Sequence, residues 1–184
     1  MTIKNDFYSL RNAVVLNKTN LAKIASPSDF SAATTDSNTD GYLFCLPFDQ
    51  AHFYLALRIF LPFIKSHRDQ MSIVIHQSLY HLVRELDPQI LYPLITTELD
   101  SDGLPLNATI LDLIKQPHRV AVDFNPVAYT APVFIVSQCR ARFRVGFQSP
   151  YAEQLFNLVI KAREGEALEL AYERIKQLIT VQIT

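Results

Sequence analysis

An aspartate, Asp49, stands where an apolar run over residues 42–46 gives way to a helical pattern over residues 50–66. A carboxylate at that junction is predicted to sit at the end of a strand and at the N-terminus of a helix. It could act there as a general base, or simply cap the helix and complement its dipole. Asp123 and Asn125 close a second β-branched run, 120–124. They could hydrogen-bond a polar ligand, or satisfy the turn and cap the next helix. From Cys139 to Phe147 arginine alternates with apolar residues, so a strand here puts Arg140, Arg142 and Arg144 on one face and Ala141, Phe143 and Val145 on the other. Three guanidinium groups on one face suit a phosphate, a carboxylate cluster or an acidic protein partner. An edge strand protected by charge is the alternative.

Other chemistries have less to stand on. His76 and His81 lie five apart with no carboxylate at ligand spacing, and His52, His67 and His118 are isolated, so no metal site is expected. Four glycines and no Gly-x-Gly-x-x-Gly leave no phosphate-cradling loop, and no cofactor is expected. Gly-x-Ser-x-Gly is absent, which removes the usual nucleophile elbow.

The elements that would position these residues follow from the apolar patterning. The chain has 184 residues, 49% of them hydrophobic and 19% charged, a globular balance large enough for one domain with a proper core. Its net charge of −1 gives no bulk attraction to nucleic acid or to an anionic membrane. No segment is apolar for the roughly 18 residues a membrane span requires, and Lys4, Asp6 and Arg11 break any leader-like N-terminus. Cys45 and Cys139 each lie in an apolar stretch and read as buried free thiols in a reducing, cytoplasmic setting.

Residues 1–25 carry Phe7, Leu10, Val14 and Leu21 at roughly helical spacing. A stretch rich in Ser, Asp, Asn and Thr follows, so 1–40 is read as an arm and linker and 41–184 as the domain. Strands are predicted over 42–46, 71–75, 90–95, 120–124, 143–147 and 155–160. Helices are predicted over 50–66, 78–86, 107–116, 127–139 and 166–179. Such alternation, with strands this apolar, predicts an α/β, Rossmann-like doubly wound and mostly parallel sheet preceded by an N-terminal arm.

Segments in the second half carry a family resemblance. Val120-Ala121-Val122-Asp123-Phe124-Asn125, an apolar helix ending in Ser137-Gln138-Cys139-Arg140-Ala141, and then Arg144-Val145-Gly146-Phe147 are together similar to a stretch of the ADP-heptose lipopolysaccharide glycosyltransferases of family 9. Phe156-Asn157-Leu158-Val159-Ile160 also resembles short bacterial proteins built like the acceptor-binding half of those enzymes. The resemblance covers about residues 41–180 and implies the N-terminal half of a GT-B fold. It aligns Phe48-Asp49 with the family's Gly-Asp pair, which implies a role for Asp49 as base while a bulky Phe replaces the Gly. The family binds its nucleotide-sugar mainly in a second domain. On no single motif, the chain also resembles a small accessory subunit of the green sulfur bacterial photosynthetic reaction centre and antenna assembly.

These readings give three expectations. The first is a non-catalytic scaffold or accessory subunit, peripheral to a membrane assembly and not spanning it, whose protein partner contacts Arg140, Arg142, Arg144, Phe7, Leu10 and Val14. The second is a glycosyltransferase subunit completed by a partner chain, with Asp49 as base. The third is a small-ligand binder using Asp49, Asn125 and Arg144.

Overall fold

A computed structural model describes residues 14–24, 41–162 and 165–181. Its centre is a six-stranded parallel sheet in the order β3-β2-β1-β4-β5-β6. The strands are β1 (Tyr42–Cys45), β2 (Met71–His76), β3 (Leu91–Leu94), β4 (Pro117–Asp123), β5 (Arg140–Phe147) and β6 (Leu158–Ile160). The helices are α1 (Lys18–Ile24), α2 (Gln50–Ser66), α3 (Ala108–Lys115), α4 (Thr130–Gln138), α5 (Ala152–Leu155) and α6 (Leu168–Val181). The Rossmann-like doubly wound expectation holds.

Alternation along β1 shows why both faces must be covered. Tyr42 and Phe44 enter a core with α2 and α6, while Leu43 and Cys45 enter a second core with α1, α3, α4 and α5. All four are at most 1% exposed, so the strand is apolar throughout rather than alternating. Each large side chain so buried contributes about 1.5–3 kcal/mol. Phe44, Phe60 and Phe124 pack at ring-centroid separations of 4.5–5.7 Å and knit α2 to the centre of the sheet.

The strand order reverses between β1 and β4. Cys45 is in register with both Val74 of β2 and Asp123 of β4. A doubly wound sheet opens its ligand crevice at that reversal, beyond the carboxyl ends of the strands.

Several elements differ from expectation for identifiable reasons. Residues 78–86 do not form an α-helix. A 3-10 segment, Gln77–Leu82, starts under a cap from the His76 ring, and Asp87-Pro88 restricts what can follow. Residues 127–129 precede α4 rather than belonging to it: Tyr129 is its extended N-cap, and the backbones of Ala128 and Thr130 pair with the arm. α4 then tolerates Pro132, which falls in the first turn where N–H groups have no intrahelical partner. Leu155, expected to open the last strand, instead ends the short helix α5, where it and Ala152 are buried, and β6 begins at Leu158.

The described part of the arm packs on its own domain. Val15 pairs antiparallel with Tyr129, and Leu16, Leu21 and Ile24 are buried in the second core. Asn20 donates to the Asp102 carbonyl and the Thr130 hydroxyl, Lys23 pairs with Asp102, and Gln138 donates to the Ile24 carbonyl. This differs from an arm held in reserve for another subunit. Val14, expected at a partner interface, gives its carbonyl to Thr130 and sets its side chain against Gly103, whose φ of +82° suits a residue without Cβ. Phe7 and Leu10 lie outside the described residues.

Candidate functional site

The carboxyl ends of β1 and β4 bring Asp49, Asp123 and Asn125 to one place, and their environments divide their roles. Asp49 is the N-cap of α2: its Oδ1 accepts the His52 N–H at 3.0 Å. The His52 ring follows one turn later, with Nδ1 3.4 Å from the same oxygen, and both side chains are 39% exposed. Asp49 therefore has the cap geometry and also an accessible carboxylate.

Asp123 and Asn125 are each 2% exposed and bonded to one another. The Asn125 backbone N–H and its Nδ2 both donate to Asp123 Oδ1, at 3.0 and 2.7 Å. Asn125 Oδ1 then accepts the Phe48 N–H at 2.8 Å across the strand reversal. The pair thus ties the loop after β4 to the loop after β1. Burial pushes the Asp123 carboxyl up to about 7, against the two Asn125 bonds that favour its ionised form. Tyr172 of α6 donates its hydroxyl to the Phe124 carbonyl at 2.8 Å and closes the same region from the other face. Burial and the Asp123 carboxylate hold that hydroxyl well above the usual tyrosine range.

Phe48 fills what would be the mouth of the crevice. Its ring stacks on Tyr129 at 5.1 Å and lies against the His76 ring at 4.9 Å, leaving it 3% exposed. Burial, with the nearby Asp49 carboxylate, raises the Tyr129 hydroxyl above its ordinary value. His76 is a satisfied core residue: Nδ1 meets the Ser78 hydroxyl at 2.8 Å, Nε2 meets Thr96 at 3.4 Å, and burial lowers its pKa. His118 is likewise buried and bonded to the Leu113 carbonyl at 3.2 Å. Among the described residues no three His, Cys, Asp or Glu side chains converge on a point that could hold a metal ion.

Arg144 does not join Asp49 and Asn125. It lies in mid-strand, in register with Ala121, and its Nη1 donates at 2.9 Å to the Ser137 carbonyl in the last turn of α4. That side chain satisfies a helix C-terminus, and the expected three-residue pocket is not assembled. β5 lies between β4 and β6, but β6 pairs only with Val145–Phe147, so Arg140 and Arg142 stand on a stretch with a strand neighbour on the β4 side alone. Arg140 and Arg142 are exposed, and Arg142 lies 5.1 Å from the Phe143 ring centroid. The short β6 is extended by a side chain. Asn157 Oδ1 accepts the Arg144 N–H and its Nδ2 donates to the Arg142 carbonyl, continuing the ladder.

Concave surface appears at the opposite, amino edge of the sheet. A groove of about 540 Å³ there is lined by residues that include Gly41, Ser72, Tyr92 and His118. Arg68 and Asp87, which also line it, are paired with each other. Sequence reasoning missed three contributors at the carboxyl edge. His52 was legible as the i+3 neighbour of Asp49 on a helix. The Phe48–Tyr129 stack and Tyr172 had no local signal, because tertiary contacts across 81 and 48 residues create them.

No protein-family model, curated protein or solved structure matches this chain. No helix among the described residues is long and apolar enough to cross a membrane.

Proposed function

We propose that this chain is a non-catalytic, glycosyltransferase-like half-domain that serves as a scaffold or accessory subunit of a larger protein assembly, in the cytoplasm or on the cytoplasmic face of a membrane complex. The observation that carries the reading is the filled crevice at the strand reversal. In a doubly wound enzyme this is where substrate enters. Here the Asn125–Phe48 bond bridges it, the Phe48 ring occupies its mouth, and Tyr129 covers the ring. Asp123, the acid at the end of β4, is sealed below them. A transition state needs donors aimed at developing charge, and the Phe48 N–H and the Asn125 side-chain amide are already bonded internally.

The exposed guanidinium groups of Arg140 and Arg142 offer a contact for an acidic partner. Arg144 is spent on α4 and leaves that set. Asp49 keeps the second reading alive, because its carboxylate is accessible at a helix N-terminus beside His52. That reading is a glycosyltransferase subunit completed by a partner chain.

The experiment that separates them is an assay of the chain, within the assembly isolated with it from its native source, for hydrolysis of, or transfer from, ADP-, UDP- and GDP-sugars. The scaffold reading expects no product above the buffer rate. Turnover that disappears in Asp49→Asn, with the fold intact, would establish the enzyme instead.

A further inference from the structure

The arm grips the domain at a particular place. Its two backbone bonds, Leu16 N–H to the Ala128 carbonyl and Thr130 N–H to the Val14 carbonyl, both at 2.8 Å, flank Tyr129 on either side. Asn20 adds a bond to the Thr130 hydroxyl at 3.3 Å. Three contacts thus fix the β4–α4 connection in the extended form that carries the Tyr129 ring over Phe48. Below the arm, Leu16, Leu21 and Ile24 anchor it in the second core, and Lys23 anchors it to Asp102. The hydrogen bonds of Phe48 and Asn125 lie outside this grip: the Phe48 N–H goes to Asn125, and Asn125 is bonded to Asp123.

From this arrangement we infer that residues 14–24 are a releasable strap. While seated, it holds the β4–α4 connection closed over the crevice between β1 and β4. When it lifts, Tyr129 loses the clamps on both neighbours, the stack on Phe48 loosens, and the space beside Asp49 and Asn125 opens to solvent. The strap is a two-state element of the kind that couples a surface event to an interior site. Most of its described contacts are made with the β4–α4 connection, with α4 and with the Asp100–Gly103 turn, so its release leaves β2, β3 and α6 supported as before. The inference goes beyond the scaffold reading and does not rest on it, since the crevice is gated whether or not chemistry occurs within it.

Hydrogen exchange on the full chain tests it, read at the Phe48 and Asn125 amides, whose hydrogen bonds go to Asn125 and Asp123 rather than to residues 14–24. In Asn20→Ala/Leu21→Ser, which weakens the strap, both amides should exchange at least about tenfold faster, while amides of β2 and β3 keep their wild-type rates. An arm that only covers the surface would speed Thr130, whose partner is the arm, and leave Phe48 unchanged. That result would overturn the inference. If the double variant loses protection throughout, the wild-type chain in increasing sub-denaturing urea decides. Phe48, Asn125 and the arm amides should then share one opening transition, well before the β1 and β4 core amides exchange. Protection of Phe48 that persists until β1 itself unfolds would equally refute the strap.

Discussion

Asp123 is a carboxyl sealed at the end of a central strand, and its cost depends on pH. Burial raises its folded pKa to about 7, whereas in the unfolded chain it titrates near 3.9. The folded state therefore holds the proton more tightly between those values. The associated stability is complete below about pH 4 and is lost as pH rises to about 7. Between pH 5 and pH 8 the wild-type protein should lose about 2–3 kcal/mol relative to Asp123→Asn. Buried His76 and His118 are held neutral, and their effect has the opposite sign, with stability falling as pH falls through the ordinary histidine range. Both proteins carry them, so the difference in urea midpoints isolates Asp123. A constant difference across that range would contradict the assignment.

Gly146 shows the same scale of control through space rather than charge. A Cβ there would fall 2.2 Å from the Phe156 ring, which is itself buried and cannot swing aside. Gly146→Ala should cost about 2–3 kcal/mol by overpacking, and Gly146→Ala/Phe156→Leu should recover part of it. Thermal melts of the two variants check this. Gly146 is one of the motif residues behind the family resemblance, and its requirement here is a packing one.

At the scale of elements, the legible parts were those with a local cause. α2 runs over Gln50–Ser66 as its pattern predicts, because Asp49 caps it and a continuous apolar stripe faces the sheet. α3 likewise starts at a local cap, Asn107, whose Oδ1 accepts the Thr109 N–H. The misread elements are those decided by a distant partner. Residues 127–129 look helical by composition, yet the Ala128 carbonyl accepts from the arm's Leu16 N–H and α4 starts only at Thr130. Asp49 and Asn125 were both legible as strand-end polar residues. Their separation from Arg144 was not, because only the packing of α4 shows that Arg144 is aimed at Ser137.

This divides the arginine strand into testable halves. Arg140→Gln/Arg142→Gln should leave the melting temperature nearly unchanged, since exposed charges contribute little. It should also weaken binding to an acidic partner in a salt-dependent way. Arg144→Gln should instead destabilise the fold by about 1–2 kcal/mol through the unsatisfied end of α4. Equal effects of the two variants on stability would contradict this division.

At the scale of the whole molecule, the sheet order 3-2-1-4-5-6 supplies the usual place for a ligand, and the side chains of this chain fill it. The doubly wound architecture followed from six apolar runs alternating with helical patterns. The plug did not, since it depends on Phe48, Asn125 and Tyr129 meeting across the reversal. A fold of this kind hosts many functions, and the filled crevice is what turns the reading away from catalysis. The most direct test of that reading is the mass of the species that contains this chain when it is purified gently from its native source. The account predicts a stoichiometric complex much larger than the 21.0 kDa chain, dissociating as salt is raised. A chain that elutes alone at its own mass, at low salt and at native concentration, would contradict it.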